Sequence, residues 1–361
     1  MSSTIERHPI PPPGVADVGA NELETALIRH PGEHRVLTGD RPTGPLHLGH
    51  YFGTLANRVR LQNLGVDVLV LVADYQTIID RDSPESLPRD VEELVADYLA
   101  VGIDPAKATI FAHSQVPALN QLMLPLLSLI SVAELSRNPT VKDEVAAAGI
   151  DTMSGLMFSY PVHQAADILC CRATVVPVGR DQLPHVELTR SLARRFNRRY
   201  CDPSMPLFAL PDALLGEAPA LLGADGQKMS KSRRNAIAIG TTADETARLI
   251  AGMKTDAQRL ITYDPAARPE VSNLVLLAAL CLAQSPEHVA EALGDAGSAA
   301  LKRLVTDAVN ERFGPIRARR AELIADRAYL REVLRAGSAR VRTLADETLA
   351  LVHERLHAVY S

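Results

Sequence analysis

Two histidines three residues apart stand in a turn crowded with glycine and proline, "TGDRPTGPLHLGHYFG" at 38–53. At that spacing His47 and His50 share one face of a first helical turn. The glycines let backbone approach a bound group closely, and the free N–H groups of a helix N-terminus favour negative charge, so the stretch suits phosphate. It is neither G-x-G-x-x-G nor G-x-x-x-x-G-K-[ST], which sets aside the dinucleotide fingerprint and the P-loop. Taken alone, the two histidines also fit a metal pair lacking a third ligand, or polar residues at a helix start. A second segment, "GADGQKMSKSRRN" at 223–235, places Lys228 and Lys231 in a loop that no apolar pattern claims. Alone, it reads as a solvated basic turn.

These side chains need a scaffold. Apolar runs rich in Val, Ile and Leu, "RVLTG" (35–39), "DVLVLVADYQTI" (67–78), "ATIFAHS" (108–114) and "TVVPVG" (174–179), predict strands. Being nearly continuous, they predict a parallel sheet covered on both faces. Helical periodicity covers 50–64, 83–102, 117–136, 159–171 and 181–200. The fold class is therefore α/β, with the His47 turn beyond the carboxyl end of the first strand, where open sheets bind ligands. After residue 236 strand signals fade and apolar residues recur at helical spacing, which predicts an all-helical module.

Composition fits this picture. The 361 residues are 47% hydrophobic, 22% charged and 4% aromatic, as expected of a soluble protein with an aliphatic core, one large domain and a smaller one. Lys+Arg 38 against Asp+Glu 43 does not by itself advertise a polyanion partner. The N-terminus lacks a secretory pattern. The longest apolar run, "LMLPLLSLI" (122–130), holds a proline and falls short of the ~20 residues that span a bilayer. A cytoplasmic protein with no membrane partner is expected. Cys170, Cys171, Cys201 and Cys281 form no C-x-x-C pair, arguing against a disulfide framework, zinc or an iron–sulfur cluster. No protein-held metal is expected.

H-x-G-H at the first strand-to-helix turn, together with K-M-S-K-S near the end of the α/β half, resembles the signature pair of class I aminoacyl-tRNA synthetases. The segments 98–118, 155–200 and 261–280, with "SYPVHQAADIL", "PVGRDQ" and "YDPAARPEVSNL" among them, resemble bacterial tryptophanyl-tRNA synthetases from about residue 35 to the C-terminus. The resemblance implies a Rossmann-like catalytic domain over 31–235, a helical tRNA-binding domain over 236–339, and a C-terminal helix, 340–361, packed back on the catalytic domain. Residues 1–30 form an extension outside it. It further implies that L-tryptophan is activated with ATP and Mg²⁺ and passed to tRNA(Trp), by a homodimer that takes no DNA.

Attack of a carboxylate on the α-phosphate expels pyrophosphate, so catalysis is chiefly positioning and charge stabilisation. By the resemblance, His47, His50, Lys228 and Lys231 serve the phosphates, and Ser230 and Ser232 complete the closing loop. Arg41, Pro42 and Thr43 face the phosphates as well. Gly49, Met229 and the backbone at Ala220 flank adenine, while Gly179, Arg180 and Asp181 meet the ribose side. Tyr160 and Gln182 hold the tryptophan ammonium and carboxylate, and Asp167 accepts the indole N–H. Gln76, Gln164 and His50 stand where many bacterial members have histidine, methionine and asparagine, which makes the pocket more polar and suggests a divergent second form. The Y-x-x-x-Q-x-x-D pattern also resembles tyrosyl-tRNA synthetase, the alternative reading; a non-catalytic paralogue that binds tryptophan or RNA is another. Two arginine clusters, at Arg190, Arg194, Arg195, Arg198 and Arg199 and at Arg312, Arg317, Arg319, Arg320 and Arg327, are candidates for RNA phosphates.

Overall fold

The computed structural model describes residues 22–79, 85–138, 153–179, 182–216, 221–231, 233 and 235–360. They fall into two compact units, one of Leu46–Arg60 with the chain up to Arg319 from past residue 218, the other of the remaining described residues.

The second unit holds the sheet: β1 (Arg35–Asp40), β2 (Asp67–Val72), β3 (Ala108–Ala112), β4 (Val175–Val178) and β5 (Asp212–Leu215), in the order β3-β2-β1-β4-β5. All pairings are parallel; Val36 lies opposite Val68 on one side and Val175 on the other. β2 and β3 add to one side of β1 and β4 to the other, so the strand order reverses between β1 and β4, the place where such sheets leave a crevice. At Gly39 the backbones approach so closely that a Cβ would run into the Leu71 carbonyl. Side chains of β2 and β3 pack between helices Pro117–Leu127, Gly155–Cys170 and Leu183–Tyr200 in a core that includes Leu69, Phe111, Val162, Ile168, Leu192 and Phe196. Helix Arg327–Arg355 closes this core with Val341, Ala345, Leu349 and Val352. A Cβ at Gly337 would meet the Ile110 carbonyl, so this helix lies directly on β3, and Ser338 Oγ accepts from the Ala112 N–H at 3.2 Å.

The first unit is largely helical, with Ala243–Gly252, Pro269–Leu282, Pro286–Leu293 and the larger part of Gly297–Ala325. Helix caps follow composition: Thr242 accepts from the Glu245 N–H at 3.3 Å and Ser285 from His288 at 3.2 Å. No helix among the described residues is long and apolar enough to cross a membrane.

Several expected elements differ in extent. The second strand ends at Val72 rather than 78, because Asp74 Oδ1 accepts from the N–H groups of Tyr75 (3.0 Å) and Ser114 (3.1 Å) and turns the chain into a 3-10 segment, Tyr75–Ile79. The helix expected at 159 starts at Gly155, capped by Ser154. The stretch 117–136 breaks after Leu127 and restarts at Val132 behind its own serine cap. The helix expected over 50–64 opens as a π turn, Tyr51–Leu55, before Ala56–Leu64. Strand β5 has no expectation to match, because its four residues, following Pro211, carry no periodic signal.

Candidate active site

In the first unit the two signature motifs come together. Residues 46–48 pair antiparallel with 237–239: the Leu48 N–H donates to the Ile237 carbonyl at 3.0 Å and Ile239 to Leu46 at 2.8 Å. The segment that follows K-M-S-K-S therefore runs beside H-x-G-H. His47 is buried, and its N–H donates to His50 Nδ1 at 3.1 Å with the rings 3.7 Å apart. A Cβ at Gly49 would lie 3.0 Å from the His47 ring and 3.7 Å from Met229 Cβ, so the glycine lets the His47 ring and the Met229 loop pack close to the backbone. Tyr51 and Phe52 pack edge-on against Phe313, with the Arg312 guanidinium 5.6 Å from the Tyr51 ring centre.

The lysine loop hangs on a tight hairpin. Gly223 donates to Gln227 at 2.7 Å and Met229 to Leu221 at 2.9 Å, around Gly226 at φ +79°, a left-handed turn that favours glycine. Met229 is buried and Lys228 exposed. Buried Asn235 clasps the loop: its Oδ1 accepts from the Ser230 N–H at 2.9 Å, and its amide donates to Asp225 at 2.7 Å and lies 3.2 Å from the Lys228 carbonyl. That bond, with the Gln227 N–H, holds the Asp225 carboxyl below its ordinary range. Asn273 grips Leu222 through both backbone groups, at 2.7 and 3.2 Å.

In the second unit, Tyr160, Gln164 and Asp167 recur at i, i+4 and i+7 on helix Gly155–Cys170, Tyr160 and Asp167 buried and Gln164 half-buried. Tyr160 Oη lies 3.2 Å from His185 Nε2. Asp167 Oδ1 lies 2.5 Å from Nε2 of His113, at the carboxyl end of β3, and Oδ2 is buried without a partner among the described residues. His113 stacks on His163 with ring centres 4.6 Å apart and 22° between planes. His163 Nε2 lies 2.8 Å from Asn120 Oδ1, which assigns the proton to that nitrogen. Burial pushes His163 down from its ordinary value. Burial also pulls on His113, but the Asp167 carboxylate, its hydrogen bond and Asp74 together hold it above its ordinary value.

His113, His163 and Asp167 offer three donors close enough to consider for a cation. The geometry favours a hydrogen-bonded cluster: in nearly parallel stacked rings the in-plane lone pairs run side by side instead of converging, and Oδ1 is already engaged by His113.

Gln76 lies half-buried on the turn after β2. Arg41, Pro42 and Thr43 follow β1, Thr43 donating to the Arg41 carbonyl at 2.8 Å. Gly179 follows β4 and accepts from Gln182, which caps helix Leu183–Tyr200. These flank the strand-order reversal. Arg180, Asp181, Ala220 and Ser232 lie outside the described residues. Of the residues expected to serve ATP, the histidine and lysine motifs lie in the first unit and Arg41, Pro42, Thr43 and Gly179 in the second.

Sequence reasoning missed His113, His163, His185, Asn120 and Asn235. Two had a readable signal: His163 stands four residues before Asp167 on one helix face, and His113 ends a strand at the ligand-binding edge. The arginine clusters are corrected in part. Arg195 is held by Glu134 at 2.6 and 2.8 Å and Arg190 by Asp212 at 2.7 Å, while Arg320 bonds Asp97 and Glu93 and Arg327 bonds Glu92. These guanidiniums serve the fold; Arg194, Arg198, Arg199 and Arg319 remain exposed.

The chain matches the family model described as tRNA synthetases class I (W and Y) over residues 30–314. The tryptophan–tRNA ligase of Treponema pallidum (strain Nichols) is 41% identical over 331 residues, 89% of this chain and 96% of that one. That of Clostridium longisporum is 38% identical over 337 residues, 90% and 97%. The crystal structure of tryptophanyl-tRNA synthetase from Campylobacter jejuni complexed with ADP and tryptophan is 31% identical, with a TM-score of 0.78 over 90% of this chain and 99% of that one.

Proposed function

The chain belongs to the class I tRNA synthetases of the tryptophan and tyrosine family, and from that premise we infer how its own residues serve the reaction. It acts as a tryptophan–tRNA ligase: L-tryptophan and ATP give the aminoacyl adenylate and pyrophosphate, and the amino acid passes to tRNA(Trp).

Asp167 carries the reading of the amino-acid site. Indole has one donor and no acceptor, and a buried carboxylate oxygen without a partner is the group that such a donor satisfies. A phenylalanine ring leaves that oxygen unpaired, at a cost of about 1–3 kcal/mol or more. Tyr160 and Gln182 take the ammonium and carboxylate, and Gln76 and Gln164 add hydrogen-bonding capacity. On the nucleotide side His47, His50, Lys228, Lys231 and Ser232 meet the phosphates with Arg41, Pro42 and Thr43. Gly49, Met229 and Ala220 border adenine, Gly179, Arg180 and Asp181 the ribose, and Ser230 anchors the closing loop. ATP enters as its Mg²⁺ complex, the ion held chiefly by phosphate oxygens and water.

The remainder of the reading concerns partners. Residues 31–235 carry the chemistry and 236–339 meet tRNA, with 340–361 returning to the catalytic part. Exposed Arg194, Arg198 and Arg199 supply phosphate contacts. Leu124 and Val132, 70% and 71% exposed, support contact with a second copy in a cytoplasmic homodimer. ATP–pyrophosphate exchange run with tryptophan, tyrosine and phenylalanine tests the whole: exchange with tryptophan alone is expected, and its absence overturns the assignment.

A further inference from the structure

The His113–Asp167 contact is more than a satisfied core pair. Both side chains are almost wholly buried, 0% and 1% exposed, and they meet at 2.5 Å through one oxygen only. A core pair kept for packing closes its polar atoms, because a buried acceptor left open costs free energy. Here Asp167 Oδ2 and His113 Nδ1 both lack a partner among the described residues, and of the two only Oδ2 is an anionic acceptor suited to a ring N–H. A carboxylate on a helix can turn about its last torsion and present either oxygen; a charge-assisted bond to Oδ1 removes that freedom and leaves Oδ2 as the oxygen that can accept a further donor. His113 is itself held. Its ring is stacked on His163, and His163 is tied to Asn120 on the neighbouring helix. Tyr75 stacks on the same ring, with centres 6.4 Å apart.

We propose that His113 is the positioning residue of the amino-acid pocket: through Nε2 it locks the Asp167 carboxylate so that Oδ2 meets a ring N–H, and discrimination for indole depends on that lock. This rests on the reading of Asp167 as the indole acceptor. His113 touches no reacting atom, so its loss acts on recognition of the ring N–H and leaves the phosphate chemistry intact.

The probe pair is L-tryptophan and L-3-benzothienylalanine, which has the same shape but sulfur in place of N–H. Pyrophosphate exchange is measured with both for wild type, His113→Gln, which keeps a donor of similar reach, and His113→Leu, which removes it. In the Leu variant the tryptophan preference over the sulfur analogue falls at least tenfold, through the KM for tryptophan, with kcat and the KM for ATP within threefold of wild type; the Gln variant keeps the preference within threefold. Should the Leu variant not fold, His113→Asn, whose donor is too short to reach Oδ1, carries the same expectation. A preference that survives in a folded Leu or Asn variant overturns the positioning role alone. No preference in the wild type overturns the Asp167 reading and this inference with it.

Discussion

At the scale of the residue, the buried His113–Asp167 pair, proposed above to serve recognition of the ring N–H, also bears on stability. His113 is raised above its ordinary value in the folded chain, because the carboxylates of Asp167 and Asp74 more than offset the burial that pulls it down. A raised base binds its proton more tightly folded than unfolded, so its contribution is fully present below the ordinary histidine range and is lost as pH rises through the raised value. The Tm difference between wild type and His113→Gln should therefore shrink on the alkaline side, in thermal melts run from pH 5 to 9. A difference that grows with pH contradicts the charge assignment. Asp167 was legible in the sequence by resemblance. Its pairing with His113 was not, because the two lie fifty-four positions apart and only the packing of β3 against helix Gly155–Cys170 brings them together.

At the scale of the element, the K-M-S-K-S loop is held open-ended but anchored. Its lysines sit on a hairpin whose geometry depends on Gly226 and on the Asn235 side chain, which ties three points of the loop at once. Asn235→Ala removes those bonds and leaves the Ser230 N–H and the Lys228 carbonyl to find water. At about 1–2 kcal/mol for the lost constraint, the KM for ATP should rise roughly tenfold. The KM for tryptophan should stay unchanged in the same exchange assay. Equal shifts in both constants would mean a general loss of fold. The motif was readable as a string of residues, while its clasp was not: an asparagine after two arginines has no local signature until the loop closes on it. The same contrast holds for strand β2, whose apolar run continues in the sequence past the point where Asp74 ends it.

At the scale of the whole molecule, the C-terminal helix Arg327–Arg355 completes the core of the sheet-bearing unit, and Gly337 is the point of closest approach to β3. Gly337→Ala forces a methyl into the Ile110 carbonyl. Overpacking of that kind costs about 1–3 kcal/mol, and at roughly 2–4 °C per kcal/mol the Tm should fall by several degrees in calorimetry. An unchanged Tm would place the helix farther from the strand. The sequence by itself determined the α/β class, four of the five described strands, the helical second half and the two signature motifs as strings of residues, because those depend on periodicity and on residues adjacent in the chain. Only the tertiary structure decided the strand order that reverses between β1 and β4, the pairing of 46–48 with 237–239, which of the arginines are tied to carboxylates, and the buried histidines behind Asp167. Each of those is a contact between residues far apart in sequence, set by which surfaces bury together, and no local pattern of residue types encodes it.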